Sequence, residues 1–135
     1  MVSKIFINLP VKNLGKSIEF YKKLGFSINP KFTDENAACV VIGDKICVMI
    51  LTSDKFKEFT KKEIPDKNTE SEVINAIQVN SKEEVDEIYN KALSSEGKKA
   101  YDFTEYDFMY GRAFLDLDGH IWEVFWMDEE KMQKQ

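Results

Sequence analysis

Leu9 to Phe26 reads LPVKNLGKSIEFYKKLGF, and this stretch decides the fold. Asn13 has the side chain of a helix N-cap. Leu14, Ile18, Tyr21 and Leu24 follow at helical spacing, and Gly25 suits a left-handed stop. Upstream, Lys4 to Leu9 (KIFINL) is a short apolar run rich in isoleucine and reads as a strand. Downstream, Phe26 to Phe32, Ala37 to Ile42 and Ile46 to Thr52 read as strands, the last two joined by a tight two-residue turn at Gly43–Asp44. The first part of the chain is therefore β-α-β-β-β, with a short helix expected over Ser53 to Thr60. Lys61 to Glu70 is polar, contains Pro65 and reads as a linker.

The same order then recurs. Glu72 to Val79 reads as a strand. Ser81 and Glu84 give the S-x-x-E signature of a helix start, Val85, Ile88, Tyr89 and Ala92 form an apolar face, and Gly97 is the expected stop. Tyr101 to Phe103, Phe108 to Leu115 and His120 to Trp126 are strand-like, with Asp116–Leu117–Asp118–Gly119 as a turn. At an offset of 68 positions Val11 falls on Val79, Asn13 on Ser81, Glu19 on Glu87, Tyr21 on Tyr89 and Lys23 on Lys91. Two β-α-β-β-β repeats, about 1–60 and 71–127, are expected in one domain spanning 1–135. The fold class is α+β: a curved mixed sheet around a cup, with helices outside.

Composition sets limits. The chain has 135 residues, a net charge of −5 and 43% hydrophobic residues. That supports a buried core without staples. Lysines and acids are interspersed, so there is no basic stripe for nucleic acid, and an acidic domain is repelled by anionic lipid. No window reaches the about 18 apolar residues of a membrane span. The two cysteines, Cys39 and Cys47, lie in apolar runs and read as buried small hydrophobes. The expected location is cytoplasmic.

The turn at 116–119 fixes a register. A three-residue loop with Gly119 as a bulge pairs Asp116 with His120, Ala113 with Glu123 and Arg112 with Val124. A two-residue loop would instead set Arg112 opposite Glu123.

On Leu9–Leu14, Ser17–Phe26 and Phe114–Val124 (FLDLDGHIWEV) the chain resembles the vicinal oxygen chelate superfamily, which includes glyoxalase I, extradiol dioxygenases, fosfomycin-resistance enzymes and bleomycin-binding proteins. The resemblance implies a cup in which four ligands, typically histidine, glutamine or glutamate, hold a metal. They come from the first and last strands of each repeat. Glu123 stands at the last-strand position of the second repeat. The first-strand positions fall on Phe6 and Ile74, and the remaining one on Val48, or on Ile50 if the register slips by two. Phe, Ile and Val offer no lone pair, so no metal and no cofactor are expected.

Strand alternation gives the cup lining as Phe6, Asn8, Cys39, Val48, Ile74, Met109, Glu123 and Phe125, among others. Such a lining suits a small apolar or aromatic ligand with a polar handle, or else fills a core with no cavity. Cys39 belongs to it if the Gly43–Asp44 turn pairs Cys39 with Val48. Glu123 is the one candidate catalytic residue: a dry cup would raise its pKa and make it a base. His120, the only histidine, reads as an exposed turn residue. Arg112, the only arginine, suits carboxylate or phosphate recognition, or pairs with Asp102, Asp107 or Asp116. Trp122 and Trp126 alternate away from Glu123 and should pack under a helix. Tyr101, Phe103, Tyr106, Phe108 and Tyr110 form an aromatic run, either a lid or a subunit contact. The superfamily's habits imply a homodimer. Two functions follow: a metal-free binding protein for a small molecule, or a glyoxalase- or dioxygenase-type lyase or oxygenase using Glu123.

Overall fold

A computed structural model describes residues 1–133. The chain divides into two compact units, Met1–Asp66 and Lys67–Gln135, with the boundary inside the polar linker. The first unit runs β1 (Ile5–Val11), α1 (Leu14–Lys23), β2 (Ser27–Asn29), β3 (Ala37–Gly43), β4 (Ile46–Thr52) and α2 (Ser53–Phe59). The second runs β5 (Ile74–Gln78), α3 (Lys82–Ser94), β6 (Lys98–Tyr101), β7 (Met109–Leu115), β8 (Ile121–Met127) and α4 (Glu129–Gln133). Each unit holds one four-stranded mixed sheet, in the orders β1-β4-β3-β2 and β5-β8-β7-β6. In both, the first strand lies parallel to the last and the other pairs are antiparallel. The β-α-β-β-β repeat expected from the sequence is thus present twice, with identical strand order.

The caps follow side-chain chemistry. The Asn13 Oδ1 accepts from the Lys16 amide at 3.1 Å, and the Ser81 Oγ accepts from the Glu84 amide at 3.1 Å, each satisfying a first-turn donor that has no carbonyl partner. At the other ends the chain leaves by the same device. Gly25 adopts φ +100° and the Phe26 amide bonds back to the Tyr21 carbonyl at 3.2 Å. In α3 the left-handed residue is Glu96 (φ 76°), and the Gly97 amide reaches the Ala92 carbonyl at 2.8 Å. The stop expected at Gly97 is therefore shared: Glu96 takes the left-handed turn and Gly97 closes it.

Two strands are displaced. The strand expected over Phe26–Phe32 is cut to Ser27–Asn29, because Pro30 has no amide to donate and opens a 3₁₀ turn, Pro30–Phe32, capped by Asn29. The strand expected at Tyr101–Phe103 lies earlier, at Lys98–Tyr101.

Each sheet has a helix-covered face. Phe20 and Tyr21 of α1 are buried to 2% and 1% exposure, and Ala38, Val40, Val48 and Ile50 lie on one face of the sheet with essentially none. In the second unit α3 covers the face of Phe114, Trp122 and Val124, all at or below 1%. Burying a large apolar side chain of this kind contributes about 1.5–3 kcal/mol, so these faces anchor each unit. Trp122 is held beneath α3 as expected, and Trp126 lies on the same face with the Lys82 Nζ 5.3 Å from its ring.

Candidate functional site

The turn between β7 and β8 sets the register on which the candidate site depends. The Asp116 Oδ1 accepts from the amides of Asp118 (3.0 Å) and His120 (2.9 Å), and its Oδ2 accepts from the Trp122 indole nitrogen at 3.4 Å. Gly119 supplies φ +86°. The Asp116 amide bonds to the His120 carbonyl at 3.1 Å. This is the bulged three-residue loop, and it places Ala113 opposite Glu123 and Arg112 opposite Val124. His120 is half-buried in the turn, outside β8.

Glu123 therefore points away from α3. Its cross-strand partners are Ala113 on β7 and Ala76 on β5, two small side chains that leave space above the carboxylate. Ile74, Met109 and Phe125 share that helix-free face by strand alternation. Glu123 is half-buried, and the Tyr101 hydroxyl donates to its Oε2 at 2.5 Å. Burial, then the hydrogen bond to Glu123 and its charge, push Tyr101 up to about 12. The phenol thus stays protonated as a donor throughout the physiological range.

A cleft of about 390 Å³ opens on the Tyr101 side of this pair, lined by Tyr89, Lys99, Tyr101, Asp102, Phe103, Glu105, Arg112 and Ala113 but not by Glu123 itself. Phe103 lies flat on the backbone of Gly111, where an added Cβ would stand 2.7 Å from ring carbons. Only glycine admits the ring at that distance. Lys99 pairs with Asp102 at 2.5 Å and Arg112 with Glu105 at 2.9 Å. Arg112 also donates to the Tyr110 hydroxyl at 2.8 Å and stacks on that ring at 4.4 Å. The acid paired with Arg112 is thus Glu105, not Asp102, Asp107 or Asp116, because the 102–108 loop folds back and carries Glu105 to it.

The aromatic run divides. Tyr101 and Phe103 fold over the sheet of their own unit. Tyr110 faces α3 and donates to Asp86 at 2.6 Å. Tyr106 stacks on Phe108 with ring centroids 5.3 Å apart and is 57% exposed.

In the first unit Phe6, Asn8 and Cys39 share one face of the sheet, but Val48 lies on the other. Val40 pairs with Val48, and Cys39 with Met49. The loop is Asp44–Lys45, with Gly43 paired to Ile46, and the register shifts between Val41 and Gly43. That irregularity moves every β3 partner by one residue from the expected Cys39–Val48 pairing, and a one-residue slip reverses the face. Val48 and Ile50 belong to the buried face under α1.

The equivalence of the repeats then identifies the fourth position. Glu123 pairs with Ala76, and the position 68 residues earlier is Asn8, which pairs with Met49. The counterpart of Glu123 is therefore Met49. Phe6, Met49 and Ile74 offer no oxygen or nitrogen donor, so the residues at these positions do not fit a divalent ion of the borderline or hard kind. Among the described residues no group of three or more His, Cys, Asp or Glu is placed to hold a metal.

Similarity to known proteins agrees with this architecture. The family model described as bleomycin resistance protein-like N-terminal matches residues 5–43, from β1 through β3. A hypothetical protein from S. aureus is 32% identical, with a TM-score of 0.77 over 93% of this chain and 94% of its own. A glyoxalase/bleomycin resistance protein/dioxygenase family enzyme from Burkholderia phytofirmans PsJN is 16% identical, with a TM-score of 0.72 over 91% and 97%. The fosfomycin resistance protein FosX of Listeria monocytogenes is 20% identical, with a TM-score of 0.70 over 97% and 98%. No curated protein matches significantly. The first repeat thus matches the bleomycin resistance protein-like N-terminal family, and the chain has the fold of the glyoxalase/bleomycin resistance protein/dioxygenase proteins. Among the described residues, no helix is long and apolar enough to cross a membrane.

Proposed function

We propose that this chain binds a small molecule without divalent-metal chemistry, through the helix-free face of its second unit and the adjoining cleft. The observation that carries the reading is the state of Glu123. The one superfamily ligand position that retains a carboxylate has a phenol bonded to it at 2.5 Å, while its three counterparts are Phe6, Met49 and Ile74. A neutral phenol next to the carboxylate does for it what a cation does elsewhere in the superfamily: it satisfies a lone pair.

The ligand this site suits has an apolar or aromatic body and a polar handle. Tyr101, Phe103 and Tyr89 offer rings, and Glu123 with Tyr101 offers an acceptor and a donor. Ile74, Met109 and Phe125 of the second unit are retained as ligand-facing on strand phase; Phe6, Asn8 and Cys39 share a face of the first unit, and Val48 is withdrawn. A catalytic role for Glu123 as a base belongs to the alternative reading, a lyase or oxygenase.

The deciding experiment is elemental analysis of protein purified without chelators, together with mass spectrometry of small molecules released on denaturation. The expected result is no stoichiometric nickel, zinc or iron, and a released compound absent from Glu123→Gln. Stoichiometric metal that disappears in Glu123→Ala would overturn the proposal and restore the enzyme reading.

A further inference from the structure

The register correction in the first unit brings sulfur together. Cys39 stands directly opposite Met49, and Cys47, paired with Val41, is its diagonal neighbour on the same face of the β3–β4 hairpin. Side chains at opposite and diagonal positions of an antiparallel pair are within reach of one another. Cys39 is fully buried and Cys47 is 7% exposed, both as free thiols. The Lys4 ammonium lies 5.9 Å from the ring of Phe6, the β1 neighbour of Cys47. Three sulfur side chains, those of Cys39, Cys47 and the half-buried Met49, thus occupy neighbouring positions on one face of the hairpin.

We propose that Cys39, Cys47 and Met49 form a binding site for a soft monovalent metal ion, copper(I) in the first instance. Thiolate and thioether donors select copper(I), whereas harder divalent ions prefer oxygen and nitrogen. With metal–sulfur bonds of about 2.3 Å, sulfurs sharing one ion stand about 4 Å apart, a separation in keeping with side chains at opposite and diagonal positions of one hairpin face. Zinc needs a fourth donor, and beside Phe6, Ala37 and Val41 the same face offers only the neutral amide of Asn8, opposite Met49, a poor ligand next to the thiolate, imidazole and carboxylate donors that zinc takes. On binding, two S–H bonds break, two thiolate–copper bonds and one thioether–copper bond form, and two protons leave to solvent. Copper stays in the +1 state and no electron moves. The resulting bis-thiolate centre carries one net negative charge, which the ammonium of Lys4 offsets. The site uses only first-unit residues and does not depend on the reading of Glu123.

The test uses the full-length reduced protein under anaerobic conditions, titrated with copper(I) held by a competing chromophoric chelator. The expected result is uptake of about one copper(I) per chain with release of about two protons. Cys39→Ser and Cys47→Ser should each abolish uptake, and Met49→Leu should weaken it. Lys4→Met, on the exposed strand end, should weaken affinity by about tenfold, as loss of an outer partner commonly does. Because serine in these buried positions can compromise folding, proton release by the wild-type protein and the Met49→Leu and Lys4→Met variants provide a reading independent of the cysteine variants. Copper(I) left with the chelator, or bound equally well by folded Cys39→Ser, would overturn the site. Zinc held as tightly as copper(I) would overturn its assignment to a soft ion.

Discussion

Removing one oxygen atom, in Tyr101→Phe, tests whether Glu123 is held as the structure describes. The wild-type hydroxyl donates to the Glu123 carboxylate at 2.5 Å. Hydrogen bonds to a charged group contribute about 1.5–3 kcal/mol. Tyr101 is 37% exposed and Glu123 half-buried, so water competes for both groups. The discounted cost of the substitution is about 1 kcal/mol, or roughly 3 °C in Tm for a chain of this length. The pH dependence adds a signature that a packing defect lacks. The phenol's pKa rises from 10.0 to about 12 on folding, so the folded state holds this proton more tightly than the unfolded state does. The resulting stability is complete below pH 10 and is lost as pH rises through about 12. At 1.36 kcal/mol per pKa unit the ceiling is about 2.7 kcal/mol, and solvent screening at a side chain this exposed reduces it to about 1. Urea melts of both proteins at neutral pH and between pH 10 and 12 measure the two effects. The stability gap should narrow across the alkaline range, and tyrosinate absorbance in the wild type should show one late-titrating phenol that Tyr101→Phe lacks. An unchanged melt at neutral pH, or an equal alkaline loss in both proteins, would refute the Tyr101–Glu123 bond and the reading of the site built on it.

Asp116→Ala removes a buried acceptor that serves two backbone amides and the Trp122 indole, so a loss of about 2–3 kcal/mol is expected in urea denaturation. Gly119→Ala meets both a positive φ and the Lys67 carbonyl oxygen at 3.3 Å, and backbone gives less readily than a side-chain end. A cost of about 1–3 kcal/mol follows, read by the same melts. The chain is expected to be a homodimer: sedimentation equilibrium at micromolar concentration should return twice 15.7 kDa. Phe6 (45% exposed) and Ile74 (53%) are apolar surface available to such a contact, and a mass of one chain would reject it.

The elements and their repetition follow from local chemistry and could be read along the chain. Asn13 and Ser81 cap helices through their own side chains, apolar residues recur at helical spacing, and Asp116 with Gly119 specifies a turn within five residues. Of the two loops that this turn allowed, the favoured bulged one is formed, and it pairs Ala113 with Glu123. The phase of strands joined by ambiguous turns was not legible. Gly43, Asp44 and Lys45 permit more than one loop, and only hydrogen bonding across β3 and β4 selects the one that pairs Cys39 with Met49 and turns Val48 inward. The register shift between Lys99 and Tyr101 likewise has no local signature, yet it brings the Tyr101 hydroxyl to Glu123, 22 residues away. Arg112 found Glu105 through a loop whose path no spacing rule specifies. Capping and turn formation are decided within a few residues. The face a strand presents depends on a period of two, so a single unpaired residue reverses it, and only the ladder of long-range bonds reveals where that residue lies.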